Sequence, residues 1–106
     1  MGGREKAVPG LMKYVIYLTP SALADIAMAN GYYNSKSDGL GKRMVNEVDI
    51  VLNNIASNPH IYSVRYRDIR AAKVATFPYL IFYKIKEMNK SVEVLRVFNT
   101  HQQPFW

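Results

Sequence analysis

Apolar and polar positions along the chain change period several times, and each change predicts an element. Residues 13–18 are rich in Val, Ile and Tyr and predict a strand. Thr19 then offers a hydroxyl cap, and Pro20 stands where a missing N–H costs a helix nothing. A helix is expected from there to about Tyr33, with Leu23, Ile26 and Ala27 as its apolar stripe and Tyr33 extending it. Gly31 weakens its last turn. Residues 34–41 are polar and glycine-bearing, as in a turn.

A second helix to about Ala56 is clearer. Met44, Val48, Val51, Leu52 and Ile55 share one face, and Asn58-Pro59 ends the run. Two helices with so short a connection pack as an antiparallel hairpin. Beyond Pro59 the period becomes that of strands. Residues 69–76 form one, carrying Arg70 and Lys73. Residues 78–85 form the next, with Tyr79, Ile81, Tyr83 and Ile85 on one face and Leu80, Phe82 and Lys84 on the other. A turn at 87–90 leads into residues 91–98, apolar enough for a strand covered on both faces.

The expected fold is therefore α+β in the order β-α-α-β-β-β: a two-helix hairpin on a mostly antiparallel sheet of about four strands. Residues 1–12 are expected to be a flexible extension, with Met12 as the biological start, and 13–106 a single domain. No apolar run approaches the roughly 18 residues of a membrane span, no secretory signal is seen, and a cytoplasmic protein is expected.

Charge narrows the chemistry. Fourteen Lys and Arg against eight acids give a net charge of +6, which attracts polyanions or an acidic protein. With no cysteine, thiolate chemistry and Cys-type zinc sites are excluded. His60 and His101 lack ligand spacing, so no metal is expected, and no cofactor either. Gly39-Leu40-Gly41 lacks the preceding strand and following Lys-Ser of a phosphate loop and reads as a helix-entry turn.

Several blocks together resemble a known family. They are Thr19-Pro20-Ser21-Ala22-Leu23-Ala24-Asp25-Ile26, Tyr32-Tyr33, Gly39-Leu40-Gly41, Ile55-Ala56-Ser57-Asn58-Pro59, Ile69-Arg70 and Phe77-Pro78-Tyr79-Leu80-Ile81-Phe82-Tyr83, closing with Val97-Phe98-Asn99-Thr100-His101-Gln102-Gln103-Pro104. In order and spacing these are similar to the RelE/ParE toxins of bacterial type II toxin–antitoxin systems, over nearly the whole chain. The resemblance implies a toxin neutralised by a small acidic antitoxin that folds on binding. It is closer to the ParE or plasmid-stabilisation branch, whose members inhibit DNA gyrase by protein–protein contact. A RelE-like mRNA interferase acting on the ribosome and mRNA is the alternative, and a non-toxic degenerate member a second. Enzyme or not therefore stays open, as does a homodimer or a heterotetramer with antitoxin. The family tail often reads His-x-Arg-x-Asp-Pro, where this chain has Asn99, His101 and Gln103 before Pro104.

Cleavage by 2′-OH attack needs a base, cations for the phosphorane and an acid for the leaving oxygen. His101, Arg70 and Tyr83 are the catalytic candidates if the protein is a ribonuclease, with Tyr79 an alternative to Tyr83. Arg65, Arg67, Arg70, Lys73 and Arg96 are the candidates for binding the target or the antitoxin. Alternation places Arg70 and Lys73 on opposite faces. Arg96 interrupts an apolar strand, so it either pairs with a carboxylate such as Glu47 or Asp49 or lines the concave face. Packing remains the competing role for Tyr79 and Tyr83, and a solvated tail position for His101.

Overall fold

A computed structural model describes residues 13–101. The expected extension at 1–12 and the aromatic end of the tail, with Gln103 and Pro104, lie outside the described residues. The elements are β1 (Val15–Leu18), α1 (Pro20–Lys36), α2 (Leu40–Ser57), β2 (Val64–Tyr66), β3 (Ile69–Lys73), β4 (Tyr79–Lys86) and β5 (Ser91–Asn99), with single 3-10 turns at Pro59–Ile61 and Glu87–Asn89. The sheet order is β1-β5-β4-β3-β2, with β1 and β5 parallel and the other neighbours antiparallel.

The expected α+β layering and helix hairpin hold, with one strand more than anticipated. β2 escaped notice because it has three residues, two of them exposed, and no alternation to read. Its turn into β3 lacks the usual glycine or asparagine signal; Arg67 itself takes the left-handed conformation, at φ 55°. β3 ends at Lys73 rather than 76, because the chain folds back where Val74 N–H donates to the Tyr79 carbonyl.

Local chemistry explains the helix boundaries. The Thr19 hydroxyl accepts from the Ala22 N–H, and Pro20 opens α1. α1 continues past Tyr33 to Lys36, where the Ser37 N–H caps the Tyr33 carbonyl. Gly39 enters α2 at φ 83°, a conformation that favours glycine. At Gly41 the helices nearly touch: an added Cβ would lie 2.4 Å from the Asn30 carbonyl oxygen, so no larger residue fits there unaltered.

The α2 face was read correctly: Met44, Val48, Val51 and Ile55 are buried, with Leu52 packed beside them. The α1 stripe was not. Leu23 is 53% exposed and Ala27 is also exposed, while Ala22 and Ala29 are buried and Ile26 and Tyr33 pack on the core. Apolar residues are spread round α1 and interrupted by Asp25, Asn30 and Asn34, so periodicity could not say which side the tertiary fold would cover.

Strand alternation in β4 divides two apolar layers. Tyr79, Ile81 and Tyr83 join the helix-side core with Val92 and Val94. Phe82 joins Ile69 and Phe98 on the opposite face, where Leu80 and Leu95 flank them. A register shift between Phe82 and Tyr83 pairs them with Arg96 and Val94, so Leu95 is an extra residue on β5. The bulge lies one residue before Arg96.

Candidate functional site

The sequence candidates divide between two places. The first is a groove of about 650 Å³ between α1 and the C-terminal end of β5, lined among others by Tyr32, Tyr33, Tyr79, Arg96, Asn99 and His101. It exists because β1 is short. β1 stops pairing at Leu18↔Val94, the chain turns at Thr19, and α1 then runs beside the part of β5 that β1 left uncovered.

Arg96 and Asp25 organise the groove. The Arg96 Nε and Nη2 donate to the two Asp25 oxygens at 2.7 and 2.9 Å, and the Val97 N–H adds a third donor at 2.9 Å. The bond to Asp25 raises the Arg96 pKa against the opposing effect of burial. A two-pronged guanidinium–carboxylate pair fixes orientation as well as charge. The expected carboxylates, Glu47 and Asp49, are not its partners. α1 rather than α2 packs on this end of β5, and Glu47 instead accepts from the Thr76 N–H and hydroxyl. Asp25 was the residue missed, although a lone acid in the run Ala22-Leu23-Ala24-Asp25-Ile26-Ala27 was the signal for it.

Aromatic rings form the other wall. Tyr33 meets Phe77 and Tyr79 edge to face at centroid distances of 4.9 and 6.3 Å. Burial, and then the neighbouring Tyr33 hydroxyl, push the Tyr79 pKa upward. Tyr32 is 55% exposed, with the Lys36 ammonium 5.0 Å from its ring centre. His101 is exposed at the rim, its backbone N–H held by the Asn99 side chain.

The second place is the β2–β3 edge. Arg65, Arg67 and Lys73 are exposed there, Arg67 lying 5.2 Å from the Tyr66 ring centre. Arg70 differs from its neighbours. Its Nη1 donates to the Tyr62 carbonyl at 2.7 Å, tying the turn after α2 to β3. Strand alternation does separate it from Lys73: Arg70 pairs with core-facing Tyr83, whereas the Lys73 Nζ donates to the Val74 carbonyl.

The three ribonuclease candidates are not brought together. Tyr83 is fully buried and donates its hydroxyl to the Pro59 carbonyl at 2.6 Å. Burial pushes its pKa to about 12, against the opposing charge of Arg70. Arg70 stands across from Tyr83, while His101 lies beyond Asn99, which pairs with Tyr79. The four strand positions from Tyr79 to Tyr83 correspond to roughly 13 Å along the sheet. A proton donor and a phosphate clamp must sit within hydrogen-bond reach of one scissile group. Among the described residues there is no group of three or more His, Cys, Asp or Glu side chains able to hold a metal, and no helix is long and apolar enough to cross a membrane.

A polar knot outside both places was also not foreseen. The Glu87 carboxylate accepts from the Tyr14 hydroxyl at 2.9 Å and bonds the His60 Nε2 at 2.6 Å. The Tyr14 bond, then that to His60, lowers the Glu87 pKa. It joins the residue before β1 to the turns that follow α2 and β4, and reads as a structural clasp.

Comparison with known proteins agrees with this architecture. The family model for the ParE toxin of the type II toxin–antitoxin system parDE matches residues 16–104. A solved structure titled "Chromosomal ParDE TA system from P. aeruginosa" shares the fold, with TM-score 0.70 and 15% identity, over 83% of this chain and 96% of that one. No curated protein matches the sequence.

Proposed function

Since this chain belongs to the ParE toxin family of type II toxin–antitoxin systems, we propose that it acts by protein–protein contact, inhibiting DNA gyrase until an antitoxin sequesters it. The observation that carries a binding rather than a cleaving toxin is the dispersal of the ribonuclease candidates. Tyr83 has its hydroxyl buried on a carbonyl, and Arg70 and His101 belong to different surfaces.

What the chain offers instead is recognition surface. The groove combines tyrosine rings with a fixed guanidinium, residue types that dominate binding energy in protein interfaces. The exposed cations of the β2–β3 edge, on a chain of net charge +6, favour an acidic partner by steering its approach. The antitoxin is accordingly a small acidic protein encoded beside this one, and the protein acts in the cytoplasm, where both gyrase and antitoxin are met.

The deciding experiment is DNA supercoiling by purified gyrase with increasing amounts of this protein. Inhibition at near-stoichiometric amounts, relieved by the product of the adjacent reading frame, is expected. Unimpaired supercoiling at large excess overturns the gyrase reading. Ribosome-dependent mRNA cleavage that is lost in His101→Ala or Arg70→Ala replaces it with the interferase.

A further inference from the structure

We propose that the open end of β5 is a strand-addition site, where an extended acidic segment of the antitoxin pairs with the backbone of Val97 and Asn99. The proposal rests on the antitoxin reading above and specifies which part of the toxin and which kind of segment meet.

It begins with a mismatch of lengths. β1 covers β5 only from Ser91 to Val94, yet β5 continues to Asn99. From Leu95 onward no strand among the described residues lies beside its outer edge. α1 covers the first groups: the Thr19 hydroxyl donates to the Leu95 carbonyl and Asp25 accepts the Val97 N–H, both at 2.9 Å. Backbone groups two residues apart leave an extended strand on the same side. The Val97 C=O and the Asn99 N–H therefore follow along this edge, and neither has a partner among the described residues. Strand edges are ordinarily blunted by charge or covered. Here the open stretch instead forms one side of the groove, with Met28 (73% exposed) and Tyr32 of α1 standing above it. An added strand gains main-chain bonds from β5 and sets alternate side chains against those apolar residues.

The groove's remaining hydrogen-bonding capacity selects the partner's charge. The Asp25 carboxylate already takes three donors, two of them from Arg96. The Arg96 Nη1 is left over as a donor, and the Arg96 side chain is 41% exposed. An incoming carboxylate matches it. A second copy of this chain, also carrying +6, meets repulsion instead.

The test uses the complete chain with the purified protein encoded by the adjacent reading frame. Hydrogen exchange at the Asn99 amide is measured free and in complex, and dissociation is compared for the parent, Asn99→Pro and Asn99→Ala. Proline removes the outward N–H, while the inward bond from the Thr100 N–H to the Pro78 carbonyl is made by a different residue. Alanine keeps that N–H and loses only side-chain bonds, to the His101 N–H and to Tyr79. Exchange at Asn99 slowed by at least about tenfold in the complex, with Asn99→Pro dissociating about tenfold faster and Asn99→Ala near the parent, is expected. A complex that forms while Asn99 exchanges as fast as in the free protein overturns strand addition and leaves the antitoxin reading standing. No complex at all overturns both. If Asn99→Pro fails to fold, exchange in the unaltered protein decides.

Discussion

The groove at the end of β5 and the cationic edge of β2–β3 both carry charge, but they are built in opposite ways. In the groove, Asp25 and Arg96 lie 71 positions apart in sequence and meet through two hydrogen bonds, to which the Val97 N–H adds a third on Asp25. At the edge, Arg65, Arg67 and Lys73 are close in sequence and exposed. A partly buried, hydrogen-bonded pair contributes to holding the fold and presents a fixed geometry. Exposed cations contribute little to stability and act over distance, through the field they make. The same residue type thus serves rigidity in one region and attraction in the other.

Breaking the groove gives the largest effect. Asp25→Ala removes the acceptor of Arg96 and of the Val97 N–H together. A loss of about 2 kcal/mol is expected, less than for a fully buried pair because Arg96 is partly solvated. Urea unfolding should show a lower midpoint at unchanged slope; a midpoint within error of the parent contradicts the pair's structural role. Tyr83→Phe follows, costing about 1 to 2 kcal/mol through the unsatisfied Pro59 carbonyl. It should leave toxicity unchanged when expression is matched, whereas a collapse of toxicity would return Tyr83 to the functional set.

Arg70 sharpens the boundary between the two regions. By sequence it belongs to the cationic edge, but its bond to the Tyr62 carbonyl places it with the structural groups. Arg70→Ala should destabilise by about 1 kcal/mol. The double change Arg65→Ala with Arg67→Ala should alter stability by less than about 0.5 kcal/mol. It should instead slow association with an acidic partner several-fold at low salt, with little change in dissociation. Stopped-flow mixing at two ionic strengths measures this, and equal rates would remove the steering role.

The smallest effect lies outside both regions, where Glu47 of α2 receives the Thr76 N–H and hydroxyl. Those bonds, Thr76's hydroxyl first, hold its pKa below the ordinary 4.5. A carboxylate with a depressed folded pKa contributes stability fully above its unfolded pKa and loses it as pH falls through the folded one. The thermal midpoint of the parent should exceed that of Glu47→Gln near neutrality, and the difference should close as pH falls through the lowered folded pKa of Glu47. A difference independent of pH would mean that the carboxylate charge is not what Thr76 recognises.

Much of the fold was legible because its signals are local. The Thr19-Pro20 cap, the α2 stripe ending at Asn58-Pro59 and the alternation of Tyr79, Ile81 and Tyr83 each depend on a few neighbouring residues, and each was read correctly. β2 and the buried side of α1 were not. A strand of three residues has no period, and a helix whose apolar residues are spread round it offers several faces to burial. The site was legible only in its residue types. Arg96 was expected to need either a carboxylate or a concave surface, and it has both a carboxylate and a groove, but the carboxylate is Asp25.

By itself the sequence determined the order of the elements other than β2, the core faces of α2 and β4, the positive charge and the family, because caps, periods and ordered short blocks are written in adjacent residues. Tertiary structure decided where β1 stops along β5, and hence that α1 lies beside an open strand edge with Asp25 on Arg96. That choice depends on the relative lengths and packing of elements far apart in the chain, and no local pattern encodes a difference between two lengths.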